Sequence, residues 1–106
     1  VRLSAAISSG LIQVINERLS PSLGSELFLF GSRADLSKKG GDIDLLLVTD
    51  PKIKNHFKSL ATEMKSALRE AAGDQRVDLS VITLEERKSD PFFSTLGDPV
   101  VLLKKW

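Results

Sequence analysis

Leu27-Phe28-Leu29-Phe30-Gly31-Ser32-Arg33 and, after a polar loop, Asp42-Ile43-Asp44-Leu45-Leu46-Leu47-Val48 are the two runs on which the reading of this chain turns. Residues 26–30 form a short apolar run closed by Gly31, a length and composition that predict a buried strand. Residues 42–49 read as a second strand, apolar on both faces beyond its aspartates, which predicts a central place in a sheet. A Gly-Ser turn that opens a helical turn suits phosphate groups, because glycine lets the backbone approach closely and helix-terminal N–H groups point at an anion. Two aspartates one residue apart at the start of a strand suit a divalent cation.

Outward from this pair, Ser32 to about Leu36 fits a brief helical turn, and Ser37-Lys38-Lys39-Gly40-Gly41 a flexible polar loop. Upstream, Leu3, Ile7, Leu11, Val14, Ile15 and Leu19 recur at helical spacing until Ser20-Pro21 stops the pattern, which predicts an amphipathic first helix. Downstream, Asp50-Pro51 supplies an N-cap and a first-turn proline. Phe57, Leu60, Ala61, Met64, Leu68 and Ala71 then hold one face of a single helix that Gly73 ends. Val77-Asp78-Leu79-Ser80-Val81-Ile82 reads as a third strand, and Thr83 with Glu86 has the spacing of a capping box for a short helical turn. Asp90-Pro91 is a further cap before Phe92 and Phe93. Val100 to Leu103 reads as a short last strand, with Lys104, Lys105 and Trp106 as a tail. The expected architecture is α/β (α+β): a small mixed β-sheet flanked by helices.

Composition bounds what such a domain can do. With 106 residues, 42% hydrophobic and 27% charged, the chain suits one domain over residues 1–106 with a single modest core. A net charge of +1 gives no electrostatic reason to expect direct nucleic-acid or membrane binding, so any polyanion would be gripped locally. The absence of cysteine excludes disulfides and zinc thiolate sites and fits a reducing cytoplasm. No run of about 18 apolar residues is present to span a bilayer. Val1 in place of an initiator methionine is compatible with a trimmed leader.

In a strand, residues i and i+2 face the same side roughly 6 to 7 Å apart, so Asp42 and Asp44 project together while Ile43 enters the opposite layer. Two unit charges about 5 Å apart at an effective dielectric near 20 repel by about 3 kcal/mol, enough to raise one pKa or to favour a bound ion. Mg²⁺ fits, since it binds through one or two carboxylates plus phosphate oxygens. The Ser32 hydroxyl can donate to a phosphate, and Arg33 adds a planar fork of donors. A Walker A loop is excluded, because the G-x-x-x-x-G-K-[ST] spacing is missing. Asp78 sits near the start of its own strand much as Asp42 and Asp44 do. Were the two strands neighbours, Asp78 could complete a two-metal site and act as general base. His56 has no second His, Cys or acid at metal spacing and reads as a surface or packing residue. Phe92, Phe93 and Trp106 suit either core closure or a partner surface.

Gly31-Ser32, nine intervening residues, Asp42-x-Asp44 in an apolar strand, and Asp78 in Val-Asp-Leu-Ser-Val together resemble the minimal nucleotidyltransferase domains of the DNA polymerase beta superfamily. The likeness is clearest from about Glu26 through Ile82. It implies that Gly31 and Ser32 bind a nucleoside triphosphate such as ATP, that Asp42 and Asp44 hold Mg²⁺, and that Asp78 shares a metal and activates an acceptor hydroxyl. Arg33 matches the arginine that commonly follows the Gly-Ser pair in the minimal branch. The loop Lys38-Lys39-Gly40-Gly41 departs from the serine-rich approach many relatives have.

Minimal domains of this branch often serve as the antitoxin of a pair with a helical HEPN ribonuclease toxin, which they neutralise by adding AMP to a tyrosine hydroxyl. The resemblance therefore implies such a partner, and an acceptor supplied by another molecule or by a second copy in a homo-oligomer. Two further readings stand beside it. One is a catalytically inactive nucleotide-binding or protein-binding module acting by occlusion. The other is transfer to a small molecule such as an aminoglycoside, which needs an acceptor pocket that so short a chain is not expected to build alone.

Overall fold

A computed structural model describes residues 4–19, 24–30, 42–89 and 100–106. Along the chain lie α1 (Ala5–Asn16), β1 (Glu26–Phe30), β2 (Ile43–Thr49), α2 (Pro51–Ser59), α3 (Ala61–Ala71), β3 (Val77–Thr83), α4 (Leu84–Ser89) and β4 (Val100–Lys105). The strands form one mixed sheet in the order β3-β2-β1-β4. β1 pairs antiparallel with both β2 and β4, whereas β2 and β3 run parallel. A parallel pair needs a crossover, and α2 with α3 provides it.

The strand alternation sorts the sheet into two faces. Leu27 and Leu29, then Ile43, Leu45 and Leu47, then Val77 point to the side where Leu11, Ile15, Ile53, Phe57, Met64 and Leu68 of α1 to α3 close the main core. Phe28, Leu46, Val48 and Ile82 form a smaller cluster on the other side, with Phe30 packed against it. There the Arg87 guanidinium of α4 lies 4.6 Å from the centre of the Phe28 ring, a cation–π contact. β2 is buried along nearly its whole length because both faces are covered, as its apolar composition requires.

Three elements differ from their sequence patterns. α1 begins after Ser4, whose hydroxyl accepts from the Ile7 N–H, and it ends at Asn16 rather than at Ser20-Pro21. The early stop is a local cap: Arg18 donates from its side chain to the Val14 carbonyl and from its backbone to Ile15, satisfying the last turn while Leu19 still reaches the core. The predicted single helix from Pro51 to Gly73 is two helices broken at Leu60. In an unbroken helix the Leu60 N–H would bond to the His56 carbonyl. Here the Ser59 hydroxyl takes that carbonyl at 2.7 Å, and Leu60 bonds instead to Phe57 at 3.1 Å, a tightened turn. The apolar period survives because Phe57, Met64 and Leu68 all remain buried across the break. β4, finally, runs to Lys105 rather than stopping at Leu103. Trp106 then closes the end of the sheet: its N–H donates to Ser25, its carbonyl accepts from Gly24, and its indole donates to Asn16 Oδ1 at 2.8 Å.

The remaining patterns hold. Asp50 caps α2 through the Ile53 N–H at 2.8 Å, and Gly73 follows α3 at φ 64°, the left-handed position a helix end favours. Thr83 and Glu86 make both bonds of the capping box, the Glu86 N–H to the Thr83 hydroxyl and the Thr83 N–H to the Glu86 carboxylate. Glu86 also accepts from Lys54 Nζ at 2.6 and 2.8 Å. The Lys54 bond first, and the Thr83 N–H second, hold the Glu86 carboxyl below the ordinary glutamate range. Stability from a depressed carboxylate is present above its unfolded-state pKa and is lost as pH falls through the folded value. Thermal melting across acid pH is therefore expected to show a steeper fall in the native chain than in Glu86→Gln. Indistinguishable slopes would remove Glu86 from the acid response. Gly10 lies inside α1, where an added Cβ would meet Ala71 at an ordinary 3.5 Å. Gly10→Ala is expected to stabilise the fold by about 0.5 to 1 kcal/mol through helix propensity, read as a higher denaturation midpoint.

Asp90, Phe92 and Phe93, and the predicted turn and loop over residues 32–41, lie outside the described residues, as do Leu3, Ser20 and Pro21. Among the described residues no helix is long and apolar enough to cross a membrane.

Candidate active site

The chain returns through α2 and α3 so that β2 and β3 start at the same end of the sheet, with Ile43 opposite Val77 and Asp44 opposite Asp78. Neighbouring strands lie about 4.8 Å apart, so the register makes Asp44 and Asp78 side-by-side residues of one face. Both are on the face opposite α1 to α3, since Ile43 and Val77 belong to the main core. Asp42 immediately precedes β2 and shares Asp44's parity. The Ile43 N–H donates to the Arg76 carbonyl at 3.1 Å, which locks the residue before β3 beside the residue before β2.

That bond positions a side chain the motif reading did not single out. Arg76 Nε lies 3.7 Å from Asp42 Oδ2 and 3.6 Å from Asp78 Oδ1. Two carboxylates that share one nitrogen are separated by less than twice that distance, so all three aspartates gather at one strand end. Burial, then the charges of Asp78 and Asp42, push the Asp44 carboxyl above the ordinary aspartate range, and Arg76 offsets part of that push. The signal for Arg76 was present in the chain as Arg-Val-Asp: two residues before Asp78, it has the same strand parity.

Gly31, Ser32 and Arg33 lie outside the described residues. Among the described residues no three of His, Cys, Asp and Glu stand close enough to hold a metal ion as they are placed. The donor chemistry nevertheless fits a hard cation. Three carboxylates supply only oxygen, and a cationic group already bridges two of them at distances too long for hydrogen bonds. His56 edges the Phe57 ring at 6.2 Å.

Two recesses flank β3. A groove of about 400 Å³ runs between α2, α3 and the strand, with Phe57, Met64 and Leu79 in its wall, Lys58 and Lys65 among its lining, and Asp78 at its border. A second recess, about 420 Å³, is lined by Lys65, Arg69, Arg76 and Val77.

No family model and no curated protein matches this chain. Among solved structures it is similar to the crystal structure of "a putative nucleotidyltransferase from Sulfolobus solfataricus", at 20% identity and a TM-score of 0.48, over 96% of this chain and 89% of that one. Fold and site together define the class on their own terms: a four-stranded mixed α/β domain with a three-aspartate cluster at the start of its parallel strand pair.

Proposed function

We propose that this protein is a Mg²⁺-dependent nucleotidyltransferase that moves AMP from ATP to an acceptor hydroxyl. The reading is supported above all by the register of Asp44 with Asp78 beside Asp42. Burial and the neighbouring charges of Asp78 and Asp42 raise the cost of ionising Asp44, a cost that a cofactor cation relieves. Asp42 and Asp44 would hold the metal with the triphosphate, and Asp78 would serve the acceptor. Mg²⁺, when bound, supplies charge neutralisation on the phosphates and lowers the acceptor's pKa.

In the transfer itself the acceptor oxygen bonds to the α-phosphorus and the bond from that phosphorus to the β-phosphate oxygen breaks. Pyrophosphate leaves with the electron pair, and the acceptor proton passes to the Asp78 carboxylate. Gly31, Ser32 and Arg33 are assigned by their sequence pattern to the triphosphate. The groove along β3 gives an acceptor a route to Asp78. On the family resemblance that acceptor is a tyrosine hydroxyl of a small helical HEPN-type toxin.

One observation favours the second reading, a non-catalytic antitoxin module acting by occlusion: Arg76 already stands between Asp42 and Asp78 as a counter-charge. Incubation with α-labelled ATP, Mg²⁺ and a candidate helical HEPN-type protein separates the two. Label on the partner with pyrophosphate release is the expected result, and stoichiometric inhibition of the partner without label decides for occlusion.

A further inference from the structure

We infer that Arg76 is a resident counter-cation of the aspartate cluster, holding Asp42 and Asp78 in the metal-free protein and competing with the incoming divalent ion for them. The inference rests on the proposed metal-dependent reading of the same site. One guanidinium nitrogen sits between two carboxylates, at 3.7 and 3.6 Å. Its backbone is fixed to β2 through Ile43, whereas its side chain is 66% exposed and forms no closer bond to either acid. The contacts are therefore exchangeable ion pairs rather than a buried lock. Because its side chain is largely exposed, the guanidinium can turn away into solvent beside the recess it lines with Lys65 and Arg69. Arg76 is on this account a positioning residue: it tunes metal affinity without touching the reacting atoms.

The test is Mn²⁺ binding by calorimetry and by metal-dependent thermal shift on the purified chain, with four proteins compared. Arg76→Gln is expected to bind Mn²⁺ on the order of 3- to 30-fold more tightly than the native chain, the worth of two exposed ion pairs. It should also melt lower without metal and gain more from adding it. Arg76→Lys keeps the charge but not the fork and should fall between. Arg69→Gln removes the same charge from the same recess without touching Asp42 or Asp78, and should change affinity by less than about twofold. Unchanged or weaker Mn²⁺ binding in Arg76→Gln overturns the inference, and so does an equal gain in Arg69→Gln, which would mark a general field. If the native chain binds Mn²⁺ and Arg76→Gln binds it no more tightly, the metal-dependent reading survives while this inference fails. If neither the native chain nor Arg76→Gln binds, both fail.

Discussion

Asp44→Asn is expected to lower nucleotidyl transfer by at least about 100-fold while raising the melting temperature of the metal-free protein. The first effect is the loss of a major electrostatic stabiliser in a site whose work is positioning charge. The second comes from the cluster itself. Burial, then Asp78 and Asp42, hold the Asp44 carboxyl above its ordinary range. An acid whose folded pKa is raised contributes stability that is fully present below its unfolded pKa and lost as pH rises through the folded value. The charge on Asp44 therefore works against folding, and the isosteric amide removes that opposition. Label transfer and thermal melting in metal-free buffer read the two effects separately. A residue kept for structure would lose both together, so transfer left intact, or lost only alongside a fall in melting temperature, would refute the assignment.

Leu45→Ala is expected to destabilise the fold by about 2 to 5 kcal/mol. Leu45 is fully buried in the main core, on the central strand, and one residue from Asp44. Domains of this size hold only about 5 to 15 kcal/mol in total, so a large fraction of the stability is at stake in one side chain. Denaturant unfolding measures it. A loss below about 1 kcal/mol would mean that the β2 environment collapses to fill the space and that the core does not depend on this position.

The two effects are opposite because β2 serves two demands. Ile43, Leu45 and Leu47 build the main core from one face, whereas Leu46 and Val48 build the smaller cluster from the other and Asp44 shares that second face. The strand is rigid because both faces are packed, and that rigidity is what presents Asp44 to Asp78. A site on rigid strands keeps its geometry better than one on loops.

Much of this was legible in the linear chain because the physics involved is local. The strand from Ile43, the caps at Asp50 and Thr83, and the stop at Gly73 each follow from a residue and its near neighbours. The break at Leu60 was not legible. The apolar period runs through it unbroken, and only the Ser59 hydroxyl taking the His56 carbonyl diverts the backbone. Trp106 was ambiguous for a related reason: its place depends on Asn16, 90 positions away in sequence.

For the site, the chain by itself determined which residues carry charge and on which face of each strand they stand, because side chains alternate along a strand whatever surrounds it. It named Asp42, Asp44 and Asp78 but left their meeting open. Tertiary structure decided that β2 and β3 are parallel neighbours in a register setting Asp44 beside Asp78, and that Arg76 comes between Asp42 and Asp78. Which strands become neighbours depends on contacts between segments far apart along the chain, which no single window of sequence contains.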